Sequence, residues 1–274
     1  MPWTETTRAQ YRRDGLRYAS DTTDAEWAIL GPLLPPPCRL GRPREVSLRE
    51  VLDGILFVLR SGCQWRMVPK DCPPRSTLQR YFYQWRDAGL WARINHVLLM
   101  DARELSGRQA SPTAGIIDSQ SVKTTESGGP KGYDAGKKIS GRKRHIVTDT
   151  LGFLVGLLIH TADIQDRDGA VPLLASIRRC YPWLRHVFAD GGYAGQKLNR
   201  ALRGLGGWTM QIVKRSDAAR GFVVLPRRWV VERTFAWLGR NRRLAKDVEK
   251  TIASAEAWAL IASIRLMTQR LASA

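Results

Sequence analysis

The sequence predicts an α/β fold: a mixed sheet of five strands flanked by helices, preceded by an all-helical N-terminal region. Three observations lead there. Apolar residues recur at helical spacing through roughly the first 105 positions, then give way to short β-type runs after SGRQASPTAG at 106–115. The later elements read as three strands, helix, strand, helix, strand and two closing helices. Helical connections ahead of the fourth and fifth strands suit parallel crossovers, whereas the first three strands can form a meander. The 274 residues leave room for one large and one smaller domain. The division expected is a helical domain over 1–107 and a sheet domain over 108–274.

In the N-terminal part, Thr23-Asp24-Ala25-Glu26 is a capping box ahead of WAILGPLL. LPPPCRLGRPRE (34–45) is too rich in proline for regular structure and reads as a loop. Ser47-Leu48-Arg49-Glu50 predicts a second capping box. Behind it Leu48, Val51, Leu52, Ile55, Leu56 and Leu59 share one helical face, with Gly62 as the stop. Ser76 is the expected cap of a third helix carrying Leu78, Tyr81, Phe82 and Trp85 and ending at Gly89; a fourth covers Trp91 to Leu105. Such short helices suit a helix-turn-helix-like DNA reader and equally a plain bundle or dimerisation module.

In the second part, strands are expected at GIIDSQSV, RKRHIVTDT (142–150), LVGLLIHTA (154–162), LRHVFAD (184–190) and MQIVKR (210–215). AVPLLASIRRCY (170–181) and QKLNRALRGL (196–205) are helical in spacing, as are Trp229 to Arg243 and Ala253 to Leu271. The first and fourth strands can be neighbours in a sheet of this connectivity.

Lys and Arg outnumber Asp and Glu by 44 to 25, a formal net charge of +19. Such an excess suits a polyanion, since neutralised phosphates release counterions. Cys38, Cys63, Cys72 and Cys180 include no CxxC pair and read as buried or incidental thiols in a reducing compartment. MPWTETTRAQYRRDG lacks the apolar core of a secretory signal, and FLVGLLI (153–159) is too short to span a bilayer. The expectation is a cytoplasmic, nucleoid-associated protein with no membrane partner.

Three acids stand where a hard-metal site needs them. Asp118 follows an apolar pair late in the first strand, Asp190 ends the fourth before Gly191-Gly192, and Glu232 lies in the helical RRWVVERTFAWL (227–238). Such carboxylates can hold two divalent ions, Mg²⁺ with Mn²⁺ as a substitute, against a phosphodiester. Each acid also has a plain structural reading: Asp118 in a turn with Ser119 and Ser121, Asp190 as a turn aspartate, and Glu232 paired with Arg228 four residues earlier. Asp163 or Asp166 is an alternative ligand, and Asp168 reads as a helix N-cap. His145 and His160 read as packed or surface residues. Trp229 and Trp237 suit core packing or stacking on a frayed base.

Two basic stretches flank the acids. Lys123 to Arg144 holds seven Lys/Arg against Glu126 and Asp134; Lys214 to Lys246 holds ten against Asp217 and Glu232. Phosphate contacts are expected from Lys123, Lys137, Lys138, Arg142, Lys143, Arg144, Arg228, Arg233, Arg240 and Arg243.

IIDSQSVKTT (116–125), KGYDAGKKISGRKRHIVTDTLG (131–152), VFADGGYAG (187–195) and RRWVVERTFAWL resemble motifs of bacterial insertion-sequence transposases of family five. LPPPCRLGRPREVSLREVLDGILFVLRSGCQWRMVP (34–69) is similar to that family's helical preceding domain. The likeness spans roughly Trp27 to Leu244. It implies an RNase H-like catalytic fold and Asp-Asp-Glu strand transfer, with Asp118, Asp190 and Glu232 as catalytic metal ligands. It also implies double-stranded DNA partners (terminal inverted repeats and target) and a homodimer or larger synaptic assembly. Relatives carry a Tyr seven residues before the Glu, an Arg four before and a Lys seven after; this chain has Leu225, Arg228 and Gly239, so Arg240 or Arg243 is the candidate for the missing cation. Two other readings stay open: an RNase H-fold nuclease that cuts without joining, and a domesticated DNA-binding protein without activity.

Overall fold

The computed structural model describes residues 13–37, 43–126, 128–213 and 228–274. Helix α1 (Asp24–Leu30) starts with the predicted capping box: the Thr23 side chain accepts from Glu26 N at 3.1 Å, and Glu26 Oε2 accepts from Thr23 N at 3.1 Å. Helix α2 (Leu48–Ser61) buries all six apolar positions its spacing marks and stops at Gly62, whose φ of 69° suits glycine. Its predicted capping box is not formed: the Ser47 side chain makes no cap bond, and Glu50 pairs with Arg17 at 2.9 Å instead. Helix α3 (Arg75–Asp87) begins one residue before Ser76, with Pro74 at the cap position, so Ser76 is no cap. Helix α4 spans Leu90–Leu105.

The sheet contains β1 (Ala114–Lys123), β2 (Gly132–Asp134), β3 (Ile139–Asp149), β4 (Leu154–Thr161), β5 (His186–Ala189) and β6 (Thr209–Ile212). β3 is antiparallel to β1, while β4 and the short β2 both pair antiparallel with β3. β5 and β6 run parallel to β1, giving the path β4-β3-β1-β5-β6. This is the predicted meander followed by two parallel crossovers, with β1 and β5 adjacent as expected. β2 is an addition: the Gly-rich stretch before β3 supplies a sixth strand, because the early residues of β3 offer it a free edge.

Helices α5 (Asp166–Ile177) and α6 (Gln196–Gly204) form the crossovers. α5 begins four residues earlier than its apolar spacing indicates, with Gln165 as N-cap; Asp168 therefore sits in the first turn and pairs with Lys197 at 2.9 Å. Helix α7 (Arg228–Gly239) is followed by a single 3₁₀ turn at Arg242–Leu244, so the predicted helix to Arg243 is shorter. Lys214 and Arg215, expected in the fifth strand, lie outside the described residues.

Each face of the sheet packs against its own helix. Ile116, Ile146 and Phe188 meet Val230, Val231 and Phe235 of α7. Ile117, Val147, Val187 and Ala189 face the other way, into a core with Leu173 and Leu174 of α5. That core continues without a break into the N-terminal helices through the last helix, α8 (Ile252–Ala272). Trp258 of α8 stacks on Phe82 of α3 at 4.5 Å, and Asn95 of α4 donates to Leu154 O at 2.8 Å. Among the described residues no helix is long and apolar enough to cross a membrane. Cys63, Cys72 and Cys180 are free thiols; Cys38 lies outside the described residues.

Candidate active site

Register places the first two acids. Ile116 of β1 lies opposite Phe188 of β5 in the parallel ladder. Two residues further along each strand stand Asp118 and Asp190, on the same face because side chains alternate. Asp118 is not late in its strand: it is fifth of ten, since β3 keeps pairing with β1 as far as Lys123. It does lie just beyond the last β1–β5 pair, where the strands part. Asp190 directly follows β5 and caps the 3₁₀ turn Gly191–Tyr193, its Oδ1 accepting from Gly192 N at 2.8 Å.

The third acid comes from α7, which covers this same face. Glu232 points outward, its side chain 59% exposed. Arg228, one turn earlier, lies between the acids: its Nη2 is 3.6 Å from Asp190 Oδ2 and 3.7 Å from Glu232 Oε1. The plain helical pairing foreseen for Glu232 is thus present, and the same guanidinium also serves Asp190.

Asp118 is electrostatically uncomfortable. Burial, joined by the nearby charge of Asp190, pushes its carboxyl up to about 6, although Ser119 N, Arg228 and Lys137 pull the other way. A cation at this point would restore the carboxylate, so the two aspartates fit a hard divalent ion. Glu232 fits less well as it stands, being exposed and paired with Arg228. Among the described residues no three His, Cys, Asp or Glu side chains gather closely enough to enclose a metal.

Behind the acids, on the α5 face, lies a polar network that sequence reading only grazed. Ser119 Oγ donates to Asp166 Oδ1 at 2.7 Å, and Lys143 Nζ lies 2.9 Å from the same oxygen. Burial opposes ionisation of Asp166, but the bonds from Lys143 and Ser119 win and hold its carboxyl below the ordinary range. Ser121 Oγ donates to Asp134 Oδ2 at 2.5 Å, with Lys143 Nζ 3.7 Å from that carboxylate. His145 and His160 are packed inside, joined at 3.1 Å, and Tyr193 meets His145 at 2.5 Å. Asp166, in the first turn of α5, is thus near the site: Lys143 and Ser119 engage its Oδ1, while a Cβ on Gly192 would stand 3.6 Å from its Oδ2 and 3.0 Å from Asp190 Oδ1. The available signal was alternation: Ser119 and Ser121 fall at every second position with Ile117, the parity of a covered face.

Several expected phosphate contacts are corrected by burial. β3 pairs on both edges and is covered on both faces, so its basic run never reaches solvent. Arg142 is 0% exposed and pairs with Asp247 at 3.0 Å. Lys143 belongs to the network above. Arg144 is buried and donates to Leu244 O at 2.7 Å, and burial lowers its guanidinium to about 10. Arg243 pairs with Glu249 and donates to Cys63 O at 3.0 Å, so it does not supply the missing cation after Glu232. Arg233 is clasped between Trp229 and Trp237, its guanidinium 4.3 and 4.5 Å from the ring centres, and donates to Leu151 O at 2.7 Å. Lys123, Lys137, Lys138 and Arg240 are exposed. Lys137 Nζ donates to Ser119 O at 3.1 Å, close beside Asp118.

A family model described as the transposase DDE domain matches residues 109–267, more than half of the chain and all of the sheet. The chain belongs to the DDE transposase family. A second model, "Putative transposase of IS4/5 family", matches residues 22–95 of this transposase, the region of α1 to α4. Two similar proteins come from Burkholderia cepacia. "Insertion element IS402 uncharacterized 16.2 kDa protein" is 35% identical over 115 residues, 38% of this chain and 74% of that protein. "Putative transposase for insertion sequence element IS402" is 35% identical over 142 residues, 49% of this chain and 65% of that protein. The transposase thus spans somewhat less than two thirds of that second relative. No solved structure matches it.

Proposed function

We propose that this transposase binds the terminal inverted repeats of an insertion sequence, cleaves the element ends and joins the freed 3′-hydroxyls to target DNA. Asp118, Asp190 and Glu232 are the catalytic metal ligands in this reading. Residues 1–107 form its DNA-binding or dimerisation part and 108–274 an RNase H-like catalytic part, a reading supported by the antiparallel meander followed by two parallel strands. The observation that carries it is the pair Asp118 and Asp190, one 72-residue register step that also relates Ile116 to Phe188 across β1 and β5.

Bound Mg²⁺, or Mn²⁺ in its place, supplies charge neutralisation at the scissile phosphate and a more acidic attacking hydroxyl. The protein's part is positional. Asp118 within β1 and Asp190 directly after β5 present their carboxylates on one face of the sheet, which fixes the direction of attack. Arg228 keeps the acids from repelling one another until Glu232 is needed, then is free for a DNA phosphate. Lys123, Lys137, Lys138 and Arg240 offer exposed charge to the duplex backbone, fixing register without reading bases. Two ends must be handled together, so the working form is a homodimer or larger synaptic assembly, acting at the nucleoid in the cytoplasm.

The test uses DNA carrying the inverted repeats that flank the gene, with a target duplex and Mg²⁺. Cleaved ends joined to target are expected from the wild type, and neither from Asp118→Asn or Asp190→Asn. Cleavage without joining would make the protein a nuclease; activity surviving in both variants would remove the acids from the mechanism.

A further inference from the structure

We propose that Tyr193, held by a one-way hydrogen-bond chain through His145 and His160, is a positioning residue that sets the place of the Asp190 carboxylate. The inference rests on the reading of Asp190 as a metal ligand.

Asp190 sits on a turn where, beyond its own bond from Gly192 N and its pair with Arg228, the following residues offer little packing. Gly191 and Gly192 follow and carry no side chains, and a Cβ at Gly191 would meet nothing within 4 Å. Tyr193 is the buried residue of this turn, 1% exposed, and its N–H donates to Asp190 O at 3.2 Å. Whatever fixes Tyr193 therefore fixes the backbone that carries Asp190.

The chemistry of the chain behind Tyr193 admits one arrangement of protons. His160 Nδ1 lies 2.9 Å from Thr161 O. A carbonyl only accepts, so Nδ1 carries the hydrogen and Nε2 of the neutral ring accepts. His145 Nδ1, at 3.1 Å, must then donate to His160 Nε2. His145 Nε2 is left to accept from the Tyr193 hydroxyl at 2.5 Å. Burial keeps both rings neutral, lowering His145 to about 3 and His160 below its ordinary value. Orientation therefore runs from a backbone carbonyl at the end of β4, across β3, to the turn after β5. The histidine pair is seated against α5 at Gly169, where a Cβ would come within 2.4 Å of His145 Nδ1 and 2.7 Å of His160 Nε2. His145 also lies opposite Ser119, the neighbour of Asp118, so one network braces both acid-bearing strands.

Outer partners of metal ligands typically contribute about 10- to 100-fold to metal affinity or activity. Tyr193→Phe keeps the ring and removes the hydroxyl. It should raise the Mg²⁺ concentration for half-maximal cleavage about 10-fold and lower kcat, with KM for DNA unchanged. The Mn²⁺ concentration that raises the Tm of the DNA-free protein should increase by a similar factor. Gly169→Ala, which wedges the histidines apart, should give the same pattern. His145→Gln, whose amide oxygen can stand in for Nε2, should retain more metal response than His145→Ala. Tyr193→Phe combined with His145→Ala should be no worse than His145→Ala alone. A Tyr193→Phe protein with wild-type Mg²⁺ and Mn²⁺ dependence would overturn this inference alone, even if its metal-free Tm fell. A wild type whose cleavage and Tm both ignore metal would overturn the reading of the site, and this inference with it.

Discussion

The two faces of β1 hold polar side chains in opposite states. On the α5 side, Ser119 and Ser121 meet Asp166 and Asp134, Lys143 bridges the two carboxylates, and His145 has a partner on each ring nitrogen. On the α7 side, burial and the nearby charge of Asp190 push the Asp118 carboxyl up to about 6, and one arginine is shared among the acids. The first face is complete and serves the fold. The second crowds its acids around one arginine, the pattern expected of the proposed site. The alternation of side chains along a single strand thus separates the paired polar groups from the proposed catalytic acids.

Substitutions on the two faces should fail in different ways. On the α7 face, Asp190→Asn should lower end cleavage by at least about 10³-fold, roughly 4 kcal/mol of lost transition-state stabilisation, while retaining DNA in a mobility-shift assay. Loss of DNA binding in step with activity would blur the distinction. The buried basic run of β3 should behave as structure: Arg142→Ala strands Asp247 and should cost about 3 kcal/mol or more in chemical denaturation. An Arg142→Ala protein of normal stability but weak DNA affinity would return that residue to the interface.

Asp118→Asn should affect activity and stability in opposite directions. The Asp118 carboxyl has a higher pKa folded than unfolded, so its favourable contribution is complete below about pH 4 and is lost as pH rises through about 6. Without metal, Asp118→Asn should therefore gain on the wild type by about 2–3 kcal/mol between pH 4 and 7.5, read from denaturation midpoints. A difference that does not change with pH would contradict the crowding of these acids. The smallest effect belongs to exposed charge. Lys137→Ala should weaken binding evenly across DNA sequences and reduce the slope of log affinity against log salt by about 1.

Much of this was legible in the sequence where local chemistry and tertiary packing agree. The change of periodicity after residue 105 and the order of elements led to a sheet in which β1 and β5 can be neighbours, because crossover rules leave few alternatives. Leu48 to Leu59 packed as spaced. Caps were less legible: Thr23 and Glu26 close their box, but Glu50 is drawn off by Arg17, a residue distant in sequence. The basic run Arg142 to Arg144 misled because charge suggests solvent, whereas pairing on both edges and cover on both faces are tertiary facts. Asp118 and Asp190 could be placed from strand logic. Glu232 could not be placed from spacing, since its helix reports the i,i+4 neighbour Arg228 and not what lies across the sheet. Tyr193, beside Asp190 in VFADGGYAG, carries no sign of its partner until β3 is laid next to β1.

The most direct test of the central claim is a Mn²⁺ titration of thermal stability without DNA, comparing the wild type with Asp118→Asn and Asp190→Asn. Saturable stabilisation of the wild type is predicted, with none in either variant and a higher metal-free Tm for Asp118→Asn at neutral pH. Equal stabilisation of all three proteins, or none in the wild type, would contradict it.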